Sequence, residues 1–428
     1  MLLSFRVANH GSLREPQELN LVPAYGDDRP AVPVVALFGA NASGKSTVVD
    51  AYRFFAEAVR ESQARWLPGA PLPRRRPFLL DHTSQGEPSS YGVDVLLDGV
   101  RYVYGFSVTD TEVAEEWLYA YPKGRKRVLF ERDRMRMTYG ATLTGERVAA
   151  ERLMRPNSLY LSAAAQTSHK QLSELWRDLH LVTLGDGSRH LASAIGAYLV
   201  QTYEVFAAAG LPIGSDVLAV ADLGVHGIRG GEAKNKAFEM LLRNPDGRAQ
   251  GMPDDVKAAA SQALEFVHRV GGEEFVLPEE AESAGTKTWL TMATTALLSL
   301  LNGDVMWVDE IDISLHPLLT AKLLTLFQDP ELNQRNAQLI FTTHDASLLG
   351  TMLGDQVLRR DQVWFVEKDA KTGASELYPL TDFKPRKGEN FERRYLAGSY
   401  GAVPLLPETA FEDMLKKYWG ARGQVVPT

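Results

Sequence analysis

The sequence contains no cysteine, and this absence excludes several kinds of chemistry at once. Disulfide bonds, thiolate metal sites and cysteine nucleophiles are impossible, and the composition suits the reducing environment of the cytoplasm. No stretch approaches the roughly 18 apolar residues that a membrane-spanning helix requires. Arg6 and Asn9 stand where an export signal would have an apolar segment, so we expect a cytoplasmic protein.

Positive charge is also in short supply. The net charge is −8 over 428 residues, so the chain as a whole is not a polycation built to coat nucleic acid. We interpret local basic clusters, such as Arg125 to Arg127, as solvated loops. The remaining composition is that of an ordinary globular protein, and the length allows two or three domain-sized units with a large core.

Hydrophobic patterns in the first part of the chain predict a hairpin, a buried strand and a helix. Apolar residues alternate with polar ones on both arms of a hairpin within residues 1–22. The β-branched run at 32–38 predicts a strand buried on both faces, and a helix should begin at Ser46. Residues 63–90 have the composition of a loop, and short alternating segments between 91 and 138 predict an antiparallel sheet.

The second part of the chain predicts an insertion followed by further strands and helices. Residues 168–209 have a helical pattern and 210–272 are polar and Gly-rich, so we assign 168–280 to a helical insertion or lid. It would separate an N-terminal core half with the antiparallel subdomain (1–167) from a C-terminal core half (281–428). Within that half the patterns predict helices at 287–301 and 318–327, strands at 305–308 and 339–342, and a closing hairpin within 363–380.

Residues Gly39 to Ser46 match the phosphate-binding pattern G-x-x-x-x-G-K-S at every fixed position, between a predicted strand and a predicted helix. Glycines let consecutive N–H groups point inward at phosphate oxygens, and the helix N-terminus adds a positive dipole end. Lys45 should reach the β- and γ-phosphates, and the Ser46 hydroxyl should bind Mg²⁺. The predicted nucleotide-binding residues are Gly39, Asn41, Ser43, Gly44, Lys45, Ser46 and Thr47.

Two further strands end in polar residues suited to the same chemistry. The apolar run Val305–Val308 ends in Asp309 and Glu310, at the end of a strand where open α/β sheets bind ligands. Asp309 is a candidate to hold Mg²⁺, and Glu310 to polarise the attacking water. His344 follows the next strand and is a candidate to contact the γ-phosphate or that water. Taken alone, two acids after a strand can also cap the next helix.

These motifs, followed by Ile311-Asp312 and by Leu315-His316-Pro317, resemble the ABC-type ATPases that include SMC, Rad50-like and RecF-like proteins. The resemblance covers roughly residues 1–60 and 280–368. It implies an α/β P-loop NTPase fold of ABC/SMC type, with a mixed central sheet, an antiparallel β-subdomain and a helical insertion. It also implies ATP and Mg²⁺ as cofactors.

Within that group the chain is most similar to prokaryotic AAA-15/AAA-21-type ATPases related to the overcoming-lysogenisation-defect proteins. Residues 282–286 are similar to their short form of the ABC signature, and residues 395–404 to their common tail. The resemblance implies that Ser283 and Gly285 contact ATP held by a partner subunit. It also implies that Asp312 lies in the loop crossing the dimer interface, that His344 is the switch histidine, and that Gln166 senses the metal.

The residues themselves leave the role of Ser283 open. A serine at the start of the helix 287–301 could complete a second anion site, or it could be an ordinary N-cap. The signature is also shorter than the LSGGQ form of transporters. A transporter subunit is therefore disfavoured, as it is by the long separation between the P-loop and Asp309.

The resemblance implies a homodimer, or a higher oligomer, that hydrolyses ATP as the sensor or regulatory component of a prokaryotic anti-phage defence system. It would act with a separate effector protein, such as a nuclease encoded nearby. The alternative is a RecF/Rad50-like DNA-repair or DNA-maintenance ATPase. Contact with nucleic acid stays open, and Glu310 disfavours a nucleotide-gated switch with little turnover.

Overall fold

The computed structural model describes the chain over these ranges: 1–26, 29–180, 182–186, 203, 213–221, 224–230, 264–353, 356–384, 388–404 and 409–422. Its strands are β1 (Leu2–Ala8), β2 (Gln17–Asn20), β3 (Val34–Phe38), β4 (Ser89–Leu97), β5 (Val100–Val108), β6 (Val113–Tyr121), β7 (Arg127–Asp133), β8 (Arg136–Tyr139), β9 (Val182–Asp186), β10 (Val225–Gly230), β11 (Leu264–Val270), β12 (Glu273–Pro278), β13 (Val305–Asp309), β14 (Gln338–Thr342), β15 (Val363–Lys368) and β16 (Ser375–Pro379). Its α-helices are α1 (Lys45–Glu61), α2 (His82–Gly86), α3 (Val148–Leu153), α4 (Tyr160–Gln166), α5 (Lys170–His180), α6 (Ile213–Val220), α7 (Ala284–Asn302), α8 (Pro317–Gln328), α9 (Phe391–Leu396) and α10 (Ala410–Arg422).

The central sheet has six strands in the order β16-β15-β3-β14-β13-β9. Five of them run parallel, and only the edge strand β16 is antiparallel. Every residue of β3 and β14 is buried, because both faces of a parallel sheet are covered and its strands are therefore apolar throughout. The mixed sheet predicted from the sequence is confirmed, and three of its strands deliver the motifs described above to one edge.

Helix α1 lies between the central sheet and a second, seven-stranded antiparallel sheet of order β2-β1-β4-β5-β6-β7-β8. Tyr52 stacks on Trp307 of β13 with ring centroids 4.2 Å apart. Phe55, one turn further along α1, stacks on Phe106 of β5 at 5.7 Å. Such aromatic pairs bury large apolar areas and add specific geometry. They fix α1, and with it the P-loop at its N-terminus, against both sheets.

The other face of the central sheet is covered by α7, α8, α9 and the segment after α9. Leu290 of α7 and Leu324 of α8 are buried in this second core. Phe365 of β15 stacks on both Tyr395 and Tyr400, at 5.5 and 5.6 Å. The tail predicted by family resemblance is therefore packed on the sheet that carries the P-loop.

The segment 168–280 is not purely helical, which corrects the prediction of a helical insertion. After α5, strand β9 pairs in parallel with β13 and becomes the edge of the central sheet. Strands β10, β11 and β12 form a separate antiparallel sheet. The helical prediction failed because β9 is only five residues long and follows directly on the helical pattern of α5. The stretches 187–202, 204–212 and 231–263 lie outside the described residues, and the division into domains stays a prediction.

One shorter segment also differs from its prediction. The loop assigned to 63–90 contains α2 and the beginning of β4. The Asp81 side chain accepts hydrogen bonds from the N–H groups of Thr83 and Ser84 and caps α2. Among the described residues, no helix has the length and hydropathy needed to span a membrane.

Candidate functional site

The turn between β3 and α1 has a backbone that few residue types can follow. Ala42 and Gly44 have φ angles of 60° and 113°, in the left-handed region. A Cβ atom at Gly39 would collide with the carbonyl oxygen of Val366, and one at Gly44 with the hydroxyl of Ser375. Gly44 is therefore required by its conformation and by close packing, and Gly39 by close packing.

Two hairpin segments that lie far apart in the sequence hold this turn in place. The Ser375 hydroxyl, at the start of β16, donates to the carbonyl oxygen of Ser43 at 2.6 Å. It also lies 2.7 Å from the hydroxyl of Ser12, in the β1–β2 connection. Ser12 Oγ is in turn 3.3 Å from Thr47 Oγ1. Neither serine was predicted as a site residue, because no local pattern links it to the P-loop.

Lys45 is buried beneath the turn and donates to the carbonyl oxygens of Gly39 and Ala40 at 2.8 and 3.0 Å. Burial lowers the pKa of Lys45, against the attraction of Asp309 and other nearby carboxylates. The pocket above it has a volume of about 510 Å³ and is lined by Ser12, residues 41–47, Glu310, His344 and Lys368. The predicted P-loop residues from Asn41 to Thr47 thus share one pocket with the predicted catalytic residues. Gly39 does not line the pocket, but its carbonyl oxygen accepts from Lys45.

The two acids at the end of β13 are positioned by a threonine on the neighbouring strand. Thr342 Oγ1 donates to Asp309 Oδ1 at 2.6 Å and accepts from the N–H of Glu310 at 2.7 Å. Glu310 has a φ angle of 54°, a costly conformation for a residue with a side chain. The hydroxyl of Thr342 stabilises that conformation, which turns Glu310 into the pocket. Thr342 was missed at the sequence level.

Ser46, the residue after Lys45 on α1, and Asp309 together provide two oxygen atoms for a cation site. Ser46 Oγ, which lines the pocket around Lys45, donates to Asp309 Oδ1 at 3.1 Å, so a hydroxyl and a carboxylate oxygen lie side by side. Mg²⁺ in phosphate-binding sites is typically held by one or two protein oxygens, with phosphate and water completing the shell. These two residues fit that role.

His344 follows β14 and lies at the pocket wall. Its backbone N–H donates to Asp312 Oδ1 at 3.3 Å, which ties it to the turn after Glu310. Burial, and then the nearby Lys45 ammonium, lower the pKa of His344. The imidazole is therefore neutral at neutral pH, so it can donate from one ring nitrogen and accept at the other.

The signature segment lies at the surface, outside the pocket of its own chain. Ser283 is the N-cap of α7 and accepts from the N–H of Thr286 at 3.0 Å, so the N-cap interpretation is confirmed. Its role as a second anion site stays a prediction. Its side chain is exposed and does not line the pocket around Lys45. A Cβ at Gly285 would lie 3.0 Å from the carbonyl oxygen of Ser314. The start of α7 thus packs beside the loop that follows Asp312.

The structure does not bring Gln166 together with the other predicted metal ligands. Gln166 is exposed at the last position of α4 and does not line the pocket that contains Ser46. Its role as a metal sensor stays a prediction from family resemblance.

A second pocket of about 640 Å³ adjoins the first and has a mixed, cationic and apolar lining. Arg53, Arg76, Phe78 and Leu80 contribute to it, together with residues shared by both pockets. On its wall, Asp50 binds His10 and Arg76 at 3.2 and 2.9 Å. Burial would raise the pKa of Asp50, but these hydrogen bonds outweigh that effect and lower it.

The chain matches the model of a known protein family. The model of a family described as "AAA domain, putative AbiEii toxin, Type IV TA system" matches residues 34–136 and 213–350. No curated protein matches the chain. The matched ranges contain the P-loop, the signature segment, both acids of β13 and His344, but not Gln166 or Lys368.

Proposed function

Because the chain belongs to the AAA-21 family, a P-loop ATPase family related to ABC- and SMC-like ATPases, we propose that it is a Mg²⁺-dependent ATPase with active sites shared between two copies. The supporting observation is the placement of Glu310 in the pocket of Lys45, next to the Ser46–Asp309 pair. Few arrangements other than nucleotide hydrolysis need a phosphate-binding lysine, a cation site and a carboxylate around one cavity.

ATP with Mg²⁺, when bound, supplies the phosphoryl group and the cation that neutralises its developing charge. The N–H groups of the P-loop and the Lys45 ammonium hold the phosphates, and Ser46 with Asp309 holds the cation. The carboxylate of Glu310 orients a water molecule and accepts its proton, and the neutral imidazole of His344 assists at the same place. The second pocket, with its apolar wall, has room for the nucleoside.

A second copy is needed to complete this site, in our proposal. The pocket is open to solvent, and catalysis of ATP hydrolysis requires that water other than the attacking molecule be excluded and that donors surround the γ-phosphate. Ser283, which is exposed, and Gly285, which is half-buried, lie at the N-terminus of α7, the kind of backbone site that binds phosphate. Because they do not line the pocket of their own chain, they are available to the nucleotide of the partner.

The catalytic assignment is tested by Glu310→Gln. This variant should still bind ATP, lose turnover by about a hundredfold or more, and accumulate as a dimer that persists in ATP but not in ADP. Hydrolysis assays and light scattering during size-exclusion chromatography measure both properties. Lys45→Ala, which should abolish tight ATP binding, is the control that stays monomeric under the same conditions. Turnover of Glu310→Gln at the unmodified rate would refute the assignment.

The shared site is tested by mixing two inactive variants. Lys45→Ala chains keep an intact signature segment, and Ser283→Arg chains keep an intact P-loop. If Ser283 acts on the nucleotide of the partner, a mixed dimer contains one complete site, and mixing should restore part of the ATPase activity. If Ser283 acts only within its own chain, mixing restores nothing, and the proposed arrangement is wrong.

We further propose that the ATPase is the regulatory component of an anti-phage defence system and acts with a separate effector protein. The family description, which names a toxin–antitoxin system, supports a partner of this kind. Co-purification with the product of the adjacent gene, sensitive to Glu310→Gln, is the expected result. DNA binding with a steep salt dependence and no effector would instead favour the DNA-maintenance alternative.

A further inference from the structure

The carboxyl end of β15 places a lysine on the face of the sheet that holds the P-loop. In the β15–β16 hairpin, Lys368 lies directly opposite Ser375. Residues opposite each other in an antiparallel pair project from the same face. Since the Ser375 hydroxyl contacts the carbonyl oxygen of Ser43 at 2.6 Å, the side chain of Lys368 extends from the face that borders the turn.

Lys368 also lies where the two pockets meet. It lines the pocket that contains Lys45 and Glu310, and it lines the larger pocket beside it. The other residues shared by both pockets are Ser12, Ser46 and Thr47. A nucleotide with its terminal phosphate at Lys45 and its nucleoside in the second pocket would place its α- and β-phosphates at this junction.

The ammonium group of Lys368 is free to bind an anion. Its side chain is exposed, and among the described residues it makes no ion pair with a carboxylate. Two of the three arginines of the second pocket differ, since Arg76 pairs with Asp50 at 2.9 Å and Arg75 pairs with Asp110. The neighbouring Glu367 accepts a hydrogen bond from the Tyr378 hydroxyl at 3.0 Å and is thereby already engaged.

We propose that Lys368 is a second phosphate-binding lysine of this site, directed at the α- and β-phosphates of the nucleotide. The proposal rests on the proposed ATPase function and adds a residue to it. ATP and ADP share these two phosphates, and their charge changes little during hydrolysis compared with that of the γ-phosphate. The contact therefore contributes to nucleotide affinity in the ground and transition states alike, and not to the chemical step.

Lys368→Met tests the proposal, since methionine keeps the length of the side chain and removes its charge. The dissociation constants of ADP and ATP should each increase about tenfold, the effect of one charge-assisted hydrogen bond at a partly exposed site. The kcat should stay unchanged, and Lys368→Arg should restore most of the affinity. Isothermal titration calorimetry with ADP, and with ATP in the Glu310→Gln background, measures the affinities.

The matched control is Lys371→Met, in the turn of the same hairpin, because Lys371 is exposed and lines neither pocket. It should leave both affinities unchanged, and both variants should unfold at the temperature of the unmodified protein. Unchanged affinities in Lys368→Met, a loss confined to ATP, or a fall in kcat alone would each overturn the proposal. If the unmodified protein binds neither nucleotide, the ATPase function itself fails, which is a different result.

Discussion

Replacement of Thr342 by Val would remove one hydroxyl group and leave the shape of the side chain almost unchanged. That hydroxyl donates to Asp309 Oδ1 at 2.6 Å and accepts from the N–H of Glu310 at 2.7 Å. Thr342 is fully buried, so water cannot take its place. The substitution therefore acts on the cation-binding and catalytic carboxylates together, although Thr342 itself lines neither of the two pockets described above.

The size of the effect follows from what each partner loses. Asp309 Oδ1 keeps the hydrogen bond from Ser46 at 3.1 Å, so its loss is partial. The N–H of Glu310 loses the hydroxyl acceptor, which costs about 1–3 kcal/mol. Glu310 also has a left-handed backbone, at a cost of about 1–2 kcal/mol that the hydrogen bond offsets. At 1.36 kcal/mol for each factor of ten, kcat should fall about tenfold to a hundredfold.

The assay compares Thr342→Val with the same substitution at Thr320 on α8. Both threonines are fully buried, but the Thr320 hydroxyl has no hydrogen-bond partner among the described residues. Thr320→Val should therefore leave kcat unchanged and leave stability equal or higher. Thr342→Ser keeps the hydroxyl and should restore most of the activity. Full turnover in Thr342→Val, or an equal loss in both variants, would show that Thr342 does not position the acids.

Two further predictions concern stability. Glu116→Gln should lower the free energy of unfolding by about 3–5 kcal/mol, because the fully buried Arg132 would lose its carboxylate partner. In a denaturant titration the control Glu115→Gln, at an exposed position, should cost less than ~0.5 kcal/mol. Equal costs for the two variants would contradict the prediction. Burial raises the pKa of Glu279 from 4.5 to about 7, because the folded state favours the protonated carboxyl group. The stability that this group contributes is therefore fully present below the unfolded pKa and is lost as pH rises through 7. Glu279→Gln should thus be more stable than the unmodified protein at about pH 8 and converge with it at about pH 5; a constant difference across that range would exclude this origin.

The nucleotide site could be predicted from the sequence because its main parts are local. The P-loop pattern, from Gly39 to Ser46, specifies a turn whose conformation depends on consecutive residues. Asp309 and Glu310 follow a run of apolar residues that can only be a buried strand in this setting. The carboxyl ends of parallel strands lie at the same edge of a sheet, so a chain with the P-loop after one strand and two acids after another is expected to bring these residues together. His344 lies beside them for the same reason.

The positioning residues could not be predicted, because they act across long separations. Ser12 and Ser375 meet although 363 positions separate them, and neither stands in a pattern that refers to the other. Thr342 is one of several polar residues after an apolar run, and its partner on β13 depends on the register of two strands. Strand β9 was missed since five residues carry too little periodicity to compete with the helical pattern before them.

The contacts of β16 explain why a segment at the far end of the chain belongs to the site. The Tyr378 hydroxyl lies 2.9 Å from the carbonyl oxygen of Tyr400, so the hairpin carrying Ser375 contacts the tail. Gly401 has a φ of 67°, and a Cβ there would lie 2.7 Å from both Glu367 Oε2 and the Tyr378 hydroxyl. A larger residue at this position would strain the backbone and displace the ends of both side chains, so glycine favours the docking of the tail. Since the hairpin it secures holds the carbonyl of Ser43, the docking of the tail is part of what shapes the P-loop.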